Sequence, residues 1–315
     1  MTIFDAVIQG VVQGLTEFLP VSSSGHLTIT QHILGATEDN LFFSVMLHIG
    51  TLVAVCAFYY KLIWRLIKEF FRTVKDIFTG RFRWSEMNHD RRMLIMLVIG
   101  LLPLVLLFLP IPGTDMKIKD LADLFTGGRY FIVVGISLIV TSLLLLIGDL
   151  CNRSASKNMP RHIRGEERVA GRTEMTVADA IVVGLVQCVA AIFPGISRSG
   201  STLSAGEMRG VNKQTALDYT FIIAIPSIIA AALLELKDAI SSSEGISIGI
   251  LPIVVGMVVA AVVGYLSIAL FKWLLKTDKM IIFIVYTALI GIAVIVISLM
   301  EIQSGTNFFT GVPIV

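Results

Sequence analysis

Apolar positions in this chain come in long runs, not in alternation. Residues 93–112, 131–147, 248–271 and 280–300 are almost continuously hydrophobic, and each is about the 20 residues that a helix needs to cross a hydrocarbon core. Short alternating segments, the mark of a membrane β-barrel, are not the pattern here. The expectation is an all-α polytopic membrane protein, a single integral membrane domain over residues 1–315.

Charge placement orients these spans. Basic residues gather in three connections, about 61–92, 151–175 and 272–279, and the positive-inside rule puts all three in the cytoplasm. The connections 113–128 and 237–247 carry Asp115, Asp120, Asp123, Asp238 and Glu244 and should face outside. Between the second and third basic connections lie three apolar blocks, at about 177–210, 214–236 and 248–271. Three full crossings would put the third basic turn on the wrong side, so one block must enter and leave on the same side. Block 177–210 is the odd one, because Phe193-Pro194-Gly195-Ile196-Ser197-Arg198-Ser199-Gly200 interrupts it. Broken backbone at membrane depth persists only where protein or a wet cavity satisfies its polar groups.

The N-terminal block repeats this design. At a constant offset Asp5-Ala6 matches Asp179-Ala180, Gly10 matches Gly184, Gln13 matches Gln187, Pro20 matches Pro194 and Ser23 matches Ser197. The predicted architecture is six full transmembrane helices plus two re-entrant helix-loop-helix hairpins. They form an inverted repeat, about 1–150 and 175–302, whose hairpin tips meet near the midplane. Such a design is also that of transporters, so a lipid or anion flippase is the competing functional class.

Composition narrows the class further. Only 15% of residues are charged, against roughly 25% in soluble domains, and a net charge of +2 gives no reason to expect nucleic acid. The N-terminus carries Asp5, Gln9, Gln13 and Glu17 within its apolar stretch, unlike a cleavable signal peptide. Cys56, Cys151 and Cys188 are too scattered for a disulfide framework or thiolate metal site and read as small buried apolar residues.

Chemistry concentrates at the two breaks. Asp5, Gln9, Gln13 and Glu17 recur every four residues and share one helix face. Asp5 suits a helix cap, whereas Glu17 and His26 lie at depths where ionisable groups are costly and point to function. Glu17 with Gln13 offers oxygen ligands to a hard divalent cation, Mg²⁺ or Ca²⁺. Ser23, with His26 as base, is a candidate activated hydroxyl. At the second break Ser197, Arg198, Ser199, Gly200, Ser201 and Thr202 combine a helix N-terminus, hydroxyls and a guanidinium fork, a cradle for phosphate. Gly10 and Gly14 form a small-residue face suited to dimerisation or to internal packing. His48 suits a cavity wall or a satisfied core position, Glu207 and Arg209 suggest an internal pair, and Trp64, Trp84 and Trp273 flank basic connections as interfacial anchors.

The segments Val12-Gln13-Gly14-Leu15-Thr16-Glu17-Phe18-Leu19-Pro20-Val21-Ser22-Ser23-Ser24-Gly25-His26 and Pro194-Gly195-Ile196-Ser197-Arg198-Ser199-Gly200-Ser201-Thr202 resemble the two signature motifs of the undecaprenyl-diphosphate phosphatase (bacitracin resistance) family. The resemblance implies a multi-pass enzyme of the bacterial inner membrane. Its reaction would convert undecaprenyl diphosphate, a polyprenyl diphosphate lipid, to the monophosphate carrier of peptidoglycan synthesis. It also implies a divalent-cation requirement, a site opening outward, Ser23 and His26 in the catalytic centre, and Ser197, Arg198 and Thr202 on the diphosphate. Many members have Glu where this chain has Gln13. Serine attack with histidine assistance and direct attack by His26 both fit, and a homodimer is compatible.

Overall fold

The computed structural model describes residues 2–34, 41–114, 116–126, 131–157, 171–241 and 249–313. Parts of the connections 113–128, 151–175 and 237–247, with Asp115 and Glu244, lie outside the described residues. The regular secondary structure described is helical. In chain order it comprises α1 (Ile3–Phe18), α2 (Ser23–Leu34), α3 (Leu41–Phe58), α4 (Tyr60–Phe78), α5 (His89–Leu101), α6 (Leu121–Thr126), α7 (Phe131–Lys157), α8 (Val177–Ile192), α9 (Arg198–Met208), α10 (Lys213–Ser241), α11 (Ile250–Lys276) and α12 (Ile281–Ser304).

Five described stretches are long and apolar enough to cross a membrane: His89–Phe108, Phe131–Ala155, Lys213–Leu234, Ile250–Lys276 and Ile281–Ser304. A sixth arises only if α3 and α4 are taken together, and the chain bends by 84° between them. The bend has a sequence cause. Apolar character ends near Tyr60, and α4 becomes amphipathic, with Lys61, Arg65, Lys68, Arg72 and Lys75 interleaved with exposed Trp64, Phe70, Phe71 and Phe78. Arg91 of α5 fastens α4 through Glu69 (2.7 Å) and Asp76 (2.7 Å).

The glycine face of α1 is spent inside the molecule. A Cβ on Gly10 would lie 2.8 Å from the Gly256 carbonyl oxygen, so α1 and α11 approach backbone to backbone. The matched Gly184 does the same on α8, where a Cβ would collide with the carbonyl oxygen of Gly100 in α5. Both α1 and α8 also open on the same capping box, Thr2 with Asp5 and Thr176 with Asp179. The cap expected of Asp5 is therefore present.

Around these pairs α7 packs on α12 and α3 packs on both α10 and α11. A chain of ring contacts runs through the centre: Phe18 against Phe221 at 5.6 Å, Phe221 against Phe271 at 6.1 Å and Phe271 against Phe283 at 5.4 Å. This core joins α1, α10, α11 and α12 and sets a rigid wall behind the end of α1. Outward faces of the long helices stay apolar, with Val258, Leu266, Leu289 and Val296 exposed, as helices solvated by lipid tails require. Cys188 is buried as expected and Cys56 partly so, but Cys151 is exposed on α7. There the helix turns its side chain away from the packed interior.

Candidate active site

Two chain breaks meet at the site. α1 stops at Phe18 because Leu19 turns extended and Pro20 follows, and Pro disfavours helical backbone in the residue before it. Ser22 then adopts a left-handed backbone (φ 74°) and α2 starts at Ser23. α8 stops in the same way before Pro194. Gly195 is left-handed (φ 98°) and a Cβ there would lie 2.6 Å from the Val134 carbonyl oxygen, so only glycine fits.

The breaks touch directly. Ser199 Oγ donates to the Leu19 carbonyl (3.0 Å), and the Gly195 N–H reaches Ser24 Oγ (3.4 Å). Thr141 of α7 braces the second break, donating to the Gly195 carbonyl (3.0 Å) and accepting from the Ser197 N–H (2.9 Å).

Glu17 is the hub of the junction. It is buried, and its Oε2 accepts from Ser23 Oγ (2.6 Å) and from Gln13 Nε2 (3.0 Å). His48 Nε2 lies 3.7 Å from the same oxygen. Oε1 pairs with the guanidinium of Arg198, which projects from the first turn of α9. Burying a carboxylate is tolerable only with such compensation. The structure thus brings Gln13, Glu17, Ser23 and Arg198 together and adds His48. Its apolar setting on α3 concealed which helix face His48 occupies.

The remaining hydroxyls of the second break are engaged locally. Ser197 caps α9 by accepting from the Gly200 N–H (3.0 Å). Thr202 Oγ1 and Ser201 Oγ turn back to the Arg198 carbonyl at 2.7 and 3.2 Å. Ser199, Gly200, Ser201 and Thr202 are all buried. They build the N-terminus of α9 and aim Arg198, and the positive end of the helix dipole sits at the junction.

His26 does not meet Ser23. Its Nδ1 lies 2.8 Å from the Ser22 carbonyl and its Nε2 lies 2.8 Å from the Tyr286 hydroxyl of α12. The expected Ser23–His26 contact is replaced by Ser23–Glu17. The expected pairing of Glu207 with Arg209 is also absent. Arg209 Nε donates to Asp179 (3.0 Å), which Arg172 also holds (2.8 Å), while both carboxylate oxygens of buried Glu207 have no hydrogen-bond partner among the described residues.

Among the described residues no group of three or more His, Cys, Asp or Glu side chains is placed to hold a metal ion. Gln13 Oε1, however, is buried beside Glu17 without a hydrogen-bond partner. An orphaned amide oxygen next to a carboxylate fits a hard cation that completes its shell with phosphate oxygens and water.

A family model described as bacitracin resistance protein BacA matches residues 6–293. The chain belongs to this family. Among its relatives is an undecaprenyl-diphosphatase of Alkaliphilus metalliredigens, 37% identical over 95% of this chain and 100% of the relative. A protein of the same name from Methanosphaera stadtmanae is 34% identical over 95% of this chain and 99% of its own length. A third, from Carboxydothermus hydrogenoformans, is 32% identical over 94% and 98%. Family membership thus covers both chain breaks and the helices that carry them.

Proposed function

We propose that this protein hydrolyses undecaprenyl diphosphate to undecaprenyl phosphate and inorganic phosphate, within the inner membrane of a bacterial cell. The observation that carries the reading is the junction of Glu17, Ser23 and Arg198 at the touching breaks of a chain whose relatives are undecaprenyl-diphosphatases. The paired breaks, their matched caps and their matched glycine contacts support two re-entrant hairpins in an inverted repeat, with the bent α3–α4 pair as the sixth span and its amphipathic α4 arm turned along the cytoplasmic surface.

Arg198 leaves Glu17 to take the phosphate oxygens, a better match in charge for its fork. The N-terminus of α9 adds partial positive charge to the same anion. Ser23 Oγ attacks the terminal phosphorus while its proton passes to Glu17 Oε2, on which it already bears. A bond from Oγ to phosphorus forms, the bond to the bridging oxygen breaks, and its electron pair leaves with undecaprenyl phosphate. Water then attacks the phosphoserine phosphorus as His26 takes its proton; the bond from Oγ to phosphorus breaks, Glu17 returns the first proton to Ser23 Oγ, and His26 passes its proton to the departing inorganic phosphate. The hydrogen bond from Ser23 to a carboxylate favours serine over His26 as nucleophile. Gln13 and Glu17 are the residues that would hold Mg²⁺ or Ca²⁺, which when bound supplies positive charge against the phosphate oxygens.

The test is phosphate release from undecaprenyl diphosphate by purified protein in detergent, with Mg²⁺ or Ca²⁺ and then with chelator. Cation-dependent release that disappears in Ser23→Ala is the expected result. A folded wild-type protein that releases no phosphate would overturn the reading in favour of lipid or anion transport.

A further inference from the structure

The ring of His26 is tied at both ends. Nδ1 is 2.8 Å from the Ser22 carbonyl, and a carbonyl oxygen only accepts, so Nδ1 carries the hydrogen. In the neutral ring Nε2 is then a bare lone pair. The group facing it is the Tyr286 hydroxyl at 2.8 Å, from α12 and 260 residues away in sequence. The phenol therefore donates to Nε2. The two rings also lie nearly parallel, 12° apart with centroids at 5.6 Å, so the contact is held by faces as well as by the hydrogen bond.

Each tie has a local origin. The left-handed backbone of Ser22 (φ 74°) brings its carbonyl toward residues one turn on, where it accepts from both the His26 N–H (3.2 Å) and Nδ1. Tyr286 lies in the second turn of α12, and α12 is fixed by its packing on α7. The Tyr286 side chain is 40% exposed, at the edge where α2 meets α12. One edge of the phenol thus lies open to the apolar surround while its hydroxyl lies on the histidine.

From this geometry we infer that Tyr286 is the positioning residue for His26: the Ser22 carbonyl fixes the Nδ1–H tautomer, and the phenol, donating to Nε2, fixes the direction in which that nitrogen points. The inference rests on the placement of His26 in the catalytic centre. Without the phenol the ring keeps its bond to the Ser22 carbonyl but loses the partner that fixes its far edge, so Nε2 no longer has a set direction. During the reaction the attacking water takes the place of the phenol at Nε2 and delivers its proton there. Tyr286 does not contact phosphorus in this scheme. It sets where Nε2 points when substrate arrives, a role in turnover and not in binding.

Tyr286→Phe removes the hydroxyl and leaves the ring stack in place. It is expected to lower kcat on the order of 10- to 100-fold, the usual effect of losing a partner that orients a reactive histidine, with KM for undecaprenyl diphosphate changed by less than about threefold. In a His26→Gln background, where there is no ring to orient, the same change should have no further effect. Histidine ¹⁵N spectra of the detergent-solubilised protein give a readout independent of activity. The Nδ1–H ring signal that disappears in His26→Gln should keep its tautomer in Tyr286→Phe, with its Nε2 resonance shifted by loss of the donated hydrogen bond. An unaltered His26 signal and unchanged kcat in Tyr286→Phe would overturn the inference. Full activity in His26→Gln with a shifted Nε2 resonance in Tyr286→Phe would remove His26 from the reaction and overturn the inference, while leaving the tie itself intact.

Discussion

Arg198 and Glu17 stand 181 residues apart in sequence and form an ion pair at the point where two interrupted helices touch. Glu17 ends α1 and Arg198 begins α9, so each charge sits at a helix end and the pair stitches the two breaks together. Buried pairs of this kind add little net stability, because desolvation offsets the attraction. Their value here is that the guanidinium is held, partly desolvated and already oriented, where an incoming phosphate will compete for it.

Arg198→Lys should therefore separate charge from geometry. Lysine keeps the positive charge but loses the planar fork that spans two oxygens. We expect phosphate release to fall about 10²-fold, the scale for losing one oriented donor to a developing oxyanion, with the thermal unfolding midpoint in detergent little changed. Activity near wild type would remove the fork from phosphate binding.

Much of this site was legible in the chain because it violates its surroundings. Proline, glycine, serines and a lone arginine inside an apolar block have no structural reason to be there unless the block is broken, and the repeat of Asp5, Gly10, Gln13 and Pro20 at 179, 184, 187 and 194 announces that the break occurs twice. What escaped was side-chain direction. Glu207 and Arg209 are two residues apart and so point to different faces of α9, which sends Arg209 to Asp179 on α8. Ser23 and His26 are one turn apart and would share a face, yet Glu17 claims the serine while Ser22 and Tyr286 claim the histidine. His48 reaches Glu17 from a third helix, a contact that no periodicity along α3 encodes.

Glu17→Gln tests the proton acceptor. The amide keeps the shape and can still bond Ser23, but it takes no proton and leaves Arg198 without its counter-charge. A loss of 10²- to 10⁴-fold in kcat is expected, the range for a general base. Tighter binding of a non-hydrolysable diphosphate analogue is also expected, because Arg198 is released to it. Unchanged kcat would assign Glu17 to structure alone.

Gly195 carries a different kind of constraint. A methyl group there would lie 2.6 Å from the Val134 carbonyl oxygen, on a backbone already at φ 98°. Gly195→Ala should cost about 1–3 kcal/mol for the strained conformation alone. Activity should be lost at temperatures where the helices persist, since Arg198 is three residues further on. Gly80→Ala is the control: its φ is 67°, but no atom lies within 4 Å of the added methyl. Circular dichroism melting beside phosphate release distinguishes the two, and equal behaviour of both variants would show that the Val134 contact does not hold the break in place.

Gln13→Glu adds a second carboxylate beside Glu17. Gln13 Nε2 now donates to Glu17 while Oε1 is buried without a hydrogen-bond partner. A second carboxylate would lose that donated bond and face Glu17 one turn along the same helix side, a like-charge arrangement that destabilises without a cation. With Mg²⁺ or Ca²⁺ present the two carboxylates would share it, and added ligand charge raises affinity at such sites. The variant should therefore unfold at lower temperature than wild type in chelator and recover when cation is added, with half-maximal activation at a cation concentration about tenfold lower. A cation titration identical to wild type would place the metal away from Gln13 and leave its orphaned oxygen as a feature of α1 packing alone.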